Sequence, residues 1–292
     1  MILVTGATGL NGSELVRRLA AKGIPSRALV RNLAKATSLA ALPNVEVVEG
    51  DMARPDSLAE ALRGVERAML ISSSDPTMVE TQTTFIDAAR KAGVKHVVKL
   101  SGIIPELDSP FRFARMHAEI EKRLEDSGLA YTHLRAGEFM PSYFRQVPSI
   151  VSRGILALPM GDARIASVDI GDLAEVAIAV LTTTGHEGKT YALTGPESLT
   201  MSEVAKKLSA VTGKAISYVD VPPEEATKAR LAAGMPPYLA EGLDELFAER
   251  RRGKESKVWP TIEEVFGRQP TSFDEFARRN AAIFRGEQPS PR

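Results

Sequence analysis

Three glycines at regular spacing follow the first apolar run of this chain, and they constrain its fold more than any other feature. Residues 2–4 read as a buried strand, and Gly6, Gly9 and Gly12 come directly after it. Apolar residues then recur at helical spacing over 15–19. A strand that turns on glycines into a helix presents backbone N–H groups and a positive helix end to a pyrophosphate. The opening of the chain therefore predicts a dinucleotide-binding turn.

The glycines of this turn serve different geometrical needs. Gly6 allows a tight turn after the strand, Gly9 leaves room for a phosphate, and Gly12 lets the helix pack close to the sheet. The spacing G-x-x-G-x-x-G differs from the commoner G-x-G-x-x-G, and an ordinary turn without ligand is the alternative. The residues predicted to bind the cofactor here are Gly6, Ala7, Thr8, Gly9, Leu10, Asn11 and Gly12.

The residue at the end of the second predicted strand indicates which nicotinamide cofactor fits. No aspartate or glutamate stands where the ribose 2′-hydroxyl of NAD is usually held; Arg31 stands there instead, with Lys35 nearby. A guanidinium suits a 2′-phosphate, so the sequence favours NADPH. NADH remains an alternative because arginine also stacks on adenine, and Arg31 could simply be an exposed strand end.

Polar residues follow two further predicted strands. Asp51 and Met52 come after the third strand, where they are predicted to contact the adenine. Ser72 and Ser73 come after the fourth, where the middle of the cofactor would pass. Turn and capping chemistry is the alternative role for these serines and this aspartate.

Strand and helix patterns alternate over the first half of the chain. This alternation predicts an α/β fold, a doubly wound parallel Rossmann sheet over residues 1–135. Residues 136–285 are predicted to form a smaller, partly helical C-terminal substrate lobe, of which about 164–195 returns to the core, and 286–292 a disordered tail. The predicted strands are Ile2–Val4, Ser26–Val30, Val45–Val48, Arg67–Ile71, His96–Leu100 and Tyr131–Arg135, with later ones at Arg164–Val168, Thr190–Leu193 and Ser217–Val219.

Charge and composition exclude several classes of function. Lysine plus arginine and aspartate plus glutamate each number 37, so bulk charge predicts no nucleic-acid and no membrane partner. The chain has no cysteine, and its four histidines lack metal-binding spacing, so no metal is expected. The absence of cysteine and of a basic, apolar leader favours a cytoplasmic location. A monomer and a homodimer both stay open.

Several stretches together resemble the NmrA-like, atypical branch of the short-chain dehydrogenase/reductase superfamily. The similarity is greatest to its NAD(P)H:quinone oxidoreductases, triphenylmethane reductases and NAD(P)H azoreductases. It extends over most of the chain, because the matching stretches are TGATGLNG at 5–12, VR at 30–31, GD at 50–51, LSG at 100–102, the block 117–139, and 166–172 and 191–195.

The resemblance also bears on catalysis. A typical superfamily enzyme uses a serine with a Tyr-x-x-x-Lys pair, in which the tyrosine is the acid. Here Ser101 matches the serine, and the pair is replaced by Phe113 and His117. His117 is therefore the catalytic candidate and, like Ser101, a predicted cofactor contact; its reference pKa permits proton transfer. The alternative is a histidine packed in the core.

Without the tyrosine acid, the favoured hydride acceptors are those that do not need a proton donor positioned at the reacting atom. A quinone or azo acceptor gives a delocalised reduced anion, which water can protonate, so we expect an NADPH-dependent reductase of small conjugated aromatic compounds. An NAD(P)-binding redox sensor without turnover is the alternative; a sugar-nucleotide epimerase or dehydratase is disfavoured because it needs the tyrosine. The chain leaving the sixth strand is predicted to face the nicotinamide, through Ala136, Gly137, Glu138 and Phe139.

Overall fold

Seven parallel strands form one central sheet in the computed structural model, which describes residues 1–290. The strand order is β3-β2-β1-β4-β5-β6-β8, and every neighbouring pair runs parallel. The order reverses between β1 and β4, which is the switch point where such sheets bind ligands. The strands are β1 Ile2–Val4, β2 Ser26–Val30, β3 Val45–Glu49, β4 Arg67–Leu70, β5 His96–Gly102, β6 Ala130–Ala136 and β8 Lys189–Leu193.

Helices cover both faces of this sheet, which confirms the doubly wound α/β prediction. Alternate residues of the strands point to opposite faces, so Leu3 packs under α3–α5 while Val4 packs under α1 and α7. The central strands β1, β4 and β5 are almost entirely buried on both faces, as a parallel sheet requires, while the edge strand β3 is partly exposed. The helices of this part are α1 Leu10–Ala21, α2 Thr37–Ala40, α3 Pro55–Ala61, α4 Met78–Lys91, α5 Arg112–Glu125 and α7 Ile170–Thr182.

The remaining elements build a second, smaller apolar core. It contains a two-stranded parallel sheet and the aromatic side chains of Phe144, Phe273, Phe276 and Phe284. The elements of this lobe are β7 Ile155–Leu158, β9 Ser217–Asp220, α6 Val147–Arg153, α8 Met201–Thr212, α9 Pro223–Ala232, α10 Pro237–Arg251, α12 Phe273–Arg279 and α13 Ala281–Phe284. Helix α11 Thr261–Phe266 packs instead on α7 and β8 of the large sheet.

Two segments after residue 160 join this lobe to the sheet. Helix α7 begins after Asp169, whose carboxylate accepts from the Gly171 N–H, and it packs on α1. Strand β8 pairs with β6 as the seventh strand. The predicted strand at Arg164–Val168 is wrong, because only Ile165 and Val168 make isolated bridges there, to Leu199 and Phe139.

The end of the chain continues from α13 in hydrogen-bonded turns. The N–H groups of Glu287 and Gln288 both donate to the Ala282 carbonyl, and Gly286 lies against Val151. These backbone groups thus find partners on α13, and the disordered tail expected over 286–292 stays a prediction. Residues 291–292 of the predicted tail lie outside the described residues.

Neither a membrane span nor a metal cluster is found within residues 1–290. No helix there combines the length and apolar character needed to cross a bilayer. No group of three or more histidine, aspartate or glutamate side chains in that part is arranged to hold a metal ion.

Candidate active site

The glycine turn lies at the carboxyl edge of the sheet, between β1 and α1. Gly6 has a φ of +58°, in the left-handed region, and its Cα faces the Ile71 carbonyl at the end of β4. A Cβ on Gly12 would lie 2.3 Å from the Gly6 carbonyl oxygen, so the helix meets the turn at backbone distance. Thr5 joins the two strand ends, since its hydroxyl donates to Ile71 O and accepts from Ile71 N, both at 2.7 Å.

This turn fits a diphosphate. Gly9 is the N-cap residue of α1 and supplies no side-chain oxygen to the first N–H groups of the helix. No acidic side chain stands in that first turn, within the part of the chain described. A cradle of open N–H groups with no competing carboxylate is what an anion needs at a helix N-terminus.

The cations predicted to select NADPH stand at the end of β2. Arg31 and Lys35 are both exposed, and neither pairs with a carboxylate within residues 1–290. Asn32, between them, caps the short turn Leu33–Lys35 by accepting from the Ala34 N–H at 2.9 Å. The two side chains are therefore available to a phosphate beside this edge of the sheet.

Asp51 at the end of β3 performs turn chemistry. Its carboxylate accepts from the Ala53 N–H at 3.0 Å, and its backbone N–H donates to the Ser57 hydroxyl at 2.9 Å. Met52 is half-buried against the core under α3 and α4. The structure thus shows the alternative role for Asp51, while contact of Asp51 and Met52 with adenine stays a prediction.

The serines after β4 are similarly tied to the protein. Ser72 accepts from the buried amide of Gln82 at 2.8 Å and donates to the Ser73 carbonyl at 3.2 Å. Ser73 is exposed at the edge of the crevice. Both lie beside the Ile71 carbonyl that faces Gly6, so the structure brings them to the glycine turn.

The chain leaving β6 is held by backbone hydrogen bonds. Ala136 pairs with Gly102 and Leu193, and the Gly137 N–H donates to the Leu193 carbonyl at 3.0 Å. A Cβ on Gly137 would lie 2.7 Å from the Ala166 carbonyl, so this position requires glycine. Phe139 forms a bridge with Val168.

Glu138 has protein partners for its carboxylate. It forms an ion pair with Arg250 of α10 and accepts from the Ser142 hydroxyl. Arg250 is 6 % exposed and also bonds Glu255 at 2.8 Å, so two carboxylates neutralise one buried guanidinium. This cluster joins α10 to the end of β6. Contact of Glu138 with the cofactor stays a prediction, as it does for Ala136, Gly137 and Phe139.

A layer of polar side chains lies between β5, β6 and α5, and we call it the polar layer. The register pairs Lys99 with His133 and Ser101 with Arg135, so all four point to the same face. Helix α5 adds two more side chains four residues apart. The members of the polar layer are Lys99, Ser101, His117, Glu121, His133 and Arg135.

Lys99 is the most unusual member of the polar layer. Its side chain is completely buried, and its Nζ lies 2.9 Å from His117 Nδ1 and 3.1 Å from Ser101 Oγ. Burial lowers the pKa of Lys99 to about 7, because water no longer stabilises its charge. Burial, with the positive charge of Lys99 beside it, also holds the pKa of His117 well below its usual value.

Glu121 anchors the other end of the polar layer. It forms a two-point ion pair with Arg135, at 3.1 and 2.6 Å. Burial acts to raise the pKa of Glu121, but hydrogen bonds from Arg135 and Ser101 and the nearby His133 outweigh it, so that pKa is lowered. The Glu121 carboxylate therefore stays ionised, and the charge of Arg135 balances it.

Phe113, which replaces the tyrosine in the resemblance, turns away from this layer. Its ring packs edge-on to Phe111 and Tyr238. It also lies so close to Gly242 of α10 that a Cβ at that position would clash with it. Phe111 is the N-cap residue of helix α5, and the Ser109 hydroxyl accepts from the Phe111 N–H just before the helix.

Lys99 is the residue that motif reasoning missed. One signal was available, because a lysine stands in the middle of the apolar run from His96 to Leu100. Lysine is almost never fully buried without a partner, so its place in an interior parallel strand predicts a specific partner. Its partner, His117, lies on a helix and could not be read from the strand.

Comparison with known proteins places this fold and site in a family. The model of the NmrA-like family matches residues 1–277, so the chain belongs to the NmrA-like family. The resemblance drawn from the sequence is thereby confirmed.

Three relatives are similar over nearly their whole length. An NAD(P)H azoreductase of Xenophilus azovorans is 38% identical over 284 residues, 97% of this chain and 99% of that protein. A (4-alkanoyl-5-oxo-2,5-dihydrofuran-3-yl)methyl phosphate reductase of Streptomyces griseus is 38% identical over 288 residues, 98% of this chain and 100% of its own. The crystal structure of an NADPH-dependent quinone oxidoreductase of Escherichia coli, complexed with NADPH, superposes with a TM-score of 0.87 at 33% identity, covering 96% of this chain and 99% of that one.

Proposed function

We propose that this protein is an NADPH-dependent reductase that transfers hydride to a small conjugated aromatic acceptor, quinone-like or azo. The observation that carries the proposal is the cradle made by Gly6 and Gly12 at the switch point of the sheet. The three similar proteins, whose names describe reductases of an azo compound, a dihydrofuranone phosphate and quinones, support the same class.

The residues of this chain bind and orient, while the cofactor supplies the hydride. The N–H groups at the start of α1 would hold the diphosphate, and Arg31 with Lys35 would hold the 2′-phosphate. Ser101 and the segment Ala136–Phe139 lie at the ends of β5 and β6, and His117 of α5 lies against Gly102 there, where the reacting ring would be held. Proximity and orientation supply much of the rate of such a transfer.

The absence of a tyrosine acid selects the acceptor. Phe113 has no proton to donate and packs against α10, so a simple ketone lacks the usual acid at its oxygen. A quinone or azo compound spreads the charge that the hydride brings. Spreading the charge eases the hydride transfer itself, so conjugated acceptors are favoured over isolated carbonyls whichever group supplies the proton.

The proposal also covers the cellular location and the oligomeric state of the protein. A cytoplasmic location, supported by the absence of cysteine, and action as a monomer or homodimer are both part of it. We further propose residues 1–135 as the Rossmann core and 136–285 as the substrate lobe, with about 164–195 returning to the core.

Replacing Arg31 with alanine should raise the Kd for NADPH by about 10-fold or more, because a charged hydrogen bond to the 2′-phosphate is lost. The Kd for NADH, which lacks that phosphate, should change less than about twofold. Calorimetric titration of both cofactors measures this. Arg17→Ala, an exposed arginine on α1, is the matched control. An equal loss for both cofactors would contradict the role given to Arg31.

The function itself is tested by following NADPH absorbance with a panel of quinones, azo dyes, dihydrofuranones and simple ketones. We expect oxidation with the conjugated acceptors and at least about 10-fold slower turnover with ketones. Tight NADPH binding with no oxidation across the panel would favour the redox sensor instead. Failure to bind either cofactor would remove both functions.

A further inference from the structure

The hydrogen bonds of Lys99 decide which nitrogen of His117 carries the proton. The Lys99 Nζ has three acceptors, namely His117 Nδ1 at 2.9 Å, Ser101 Oγ at 3.1 Å and the Leu100 carbonyl at 3.3 Å. An ammonium group can only donate, so Nδ1 of the neutral imidazole accepts. The hydrogen of the ring therefore sits on Nε2.

The other edge of the His117 ring faces the end of β5. A Cβ on Gly102 would lie 3.1 Å from His117 Cδ2 and 3.8 Å from Nε2, so only glycine leaves this edge uncovered. Gly102 is paired with Ala136 at the start of the segment proposed to face the reacting ring. The Nε2–H edge of the His117 ring thus lies next to the crevice. Lys99 lies on the opposite, Nδ1 side of the ring and is completely buried.

We propose that Lys99 and His117 form a proton relay, in which His117 protonates the reduced acceptor and Lys99 reprotonates His117. As hydride reaches the acceptor, the Nε2–H bond breaks and an O–H or N–H bond forms on the acceptor in the same step. The Nδ1–H bond forms as one N–H bond of the Lys99 ammonium breaks. This leaves Lys99 neutral and His117 protonated on Nδ1. The starting state returns when His117 Nε2 takes a proton from solvent at the crevice and the Nδ1 proton passes back to Lys99, so each turnover consumes NADPH and one proton. This inference rests on the proposed function, in which His117 touches the acceptor and Lys99 positions and recharges it.

The groups around Lys99 suit this exchange. Helix α5 presents His117 and Glu121, β6 presents His133 and Arg135, β5 presents Ser101, and β4 presents the apolar Leu70. The nearby carboxylate of Glu121 favours the charged lysine, and Arg135 and burial oppose it. Burial brings the pKa of Lys99 to about 7, so its ammonium and amine forms are close in free energy near neutral pH.

If Lys99 and His117 served only to pack the core, they would make the same contacts, but the rate of hydride transfer would not depend on the charge of Lys99. The relay needs the charged form of Lys99, so hydride transfer should slow as the pH rises above about 7, where that ammonium loses its proton. Single-turnover oxidation of NADPH by a quinone or azo dye, between pH 6 and 9, measures this.

Variants separate the relay from packing. Lys99→Met should lower the rate about 100-fold at pH 6 and leave it independent of pH, since general acid catalysis is lost. Lys99→Arg keeps a charged donor but cannot give up a proton, so it should lower the rate about as much as Lys99→Met, whereas a purely electrostatic role of Lys99 would be rescued by arginine. His117→Gln should match Lys99→Met, and the double variant should lose no more, because the two act as a unit. Lys95→Met, an exposed lysine of the same region, should keep the original profile.

A measurement without turnover tests the geometry. Nitrogen NMR of His117 should show a hydrogen on Nε2 and none on Nδ1. In Lys99→Met the pKa of His117 should rise but stay below its usual value, because burial, the larger cause of the lowered pKa, persists. A proton on Nδ1, or an unchanged pH profile in Lys99→Met, would overturn the relay. Calorimetry keeps the two proposals apart, because loss of NADPH binding by the unaltered protein would remove the reductase, while the NMR result would still report on Lys99 and His117.

Discussion

Gly12→Ala is expected to raise the Kd for NADPH by at least about 100-fold. The added Cβ would lie 2.3 Å from the Gly6 carbonyl oxygen and 2.9 Å from the Ala7 Cα, and neither backbone atom can rotate away. The start of α1 must therefore separate from the turn, which moves the N–H groups away from the diphosphate. Calorimetric titration with NADPH measures the loss.

Two other glycines provide the controls for Gly12. Gly9→Ala should have a smaller effect, because its Cβ would stand 3.3 Å from the Gly6 carbonyl oxygen. Gly128, at φ +82° with open space around it, lies far from the turn along the chain, so Gly128→Ala should lower stability by about 1 kcal/mol and leave the Kd unchanged. The thermal shift that saturating NADPH produces should persist in Gly128→Ala and disappear in Gly12→Ala. An unchanged Kd in Gly12→Ala would mean that the diphosphate binds elsewhere.

Lys99→Met should remove a large pH dependence of stability. In the unfolded chain Lys99 keeps its proton up to about its ordinary pKa of 10.5, whereas in the folded protein it loses the proton above about 7. The unfolded state therefore binds more protons between these values, and the contribution of Lys99 to the free energy of unfolding rises with pH. The rise from pH 7 to pH 9.5 is about 3 kcal/mol, at about 1.36 kcal/mol for each pKa unit.

Urea unfolding at several pH values tests this contribution. Compared with the unaltered protein, Lys99→Met should have its most favourable free energy of unfolding at pH 7. This advantage of the variant should be smaller by about 3 kcal/mol at pH 9.5. Lys95→Met supplies the comparison, since this lysine is exposed and pairs with Glu66 at the surface. A difference that stays constant with pH would show that Lys99 holds its proton in the folded state.

Local patterns predict the sheet well because its strands are short, apolar and separated by strong turn signals. Six predicted strands of the core appear within one or two residues of their expected ends. Gly23 and Gly93 directly follow the C-cap residues of α1 and α4 and lie in the left-handed region, a common way for a helix to end. The segment Arg164–Val168 failed as a strand because its partners are single residues distant in sequence, and pairing of that kind leaves no local pattern.

Side-chain partners depended on the tertiary fold. Asp51 and Ser72 stand at the predicted strand ends, yet both bond local or neighbouring groups, as their alternative roles suggested. Glu138 meets Arg250, 112 residues further along the chain, an ion pair that no spacing rule encodes. This ion pair forms only when α10 packs over the end of β6 in the folded protein.

The amino-acid sequence by itself determined the parallel sheet, the glycine turn and the charge available for a 2′-phosphate, because each depends on neighbouring residues in one element. Only the tertiary structure decided which buried groups face one another. Lys99 on β5 meets His117 on α5 because the register of the sheet and the packing of the helix bring two distant segments within 2.9 Å, and burial there changes the acidity of both.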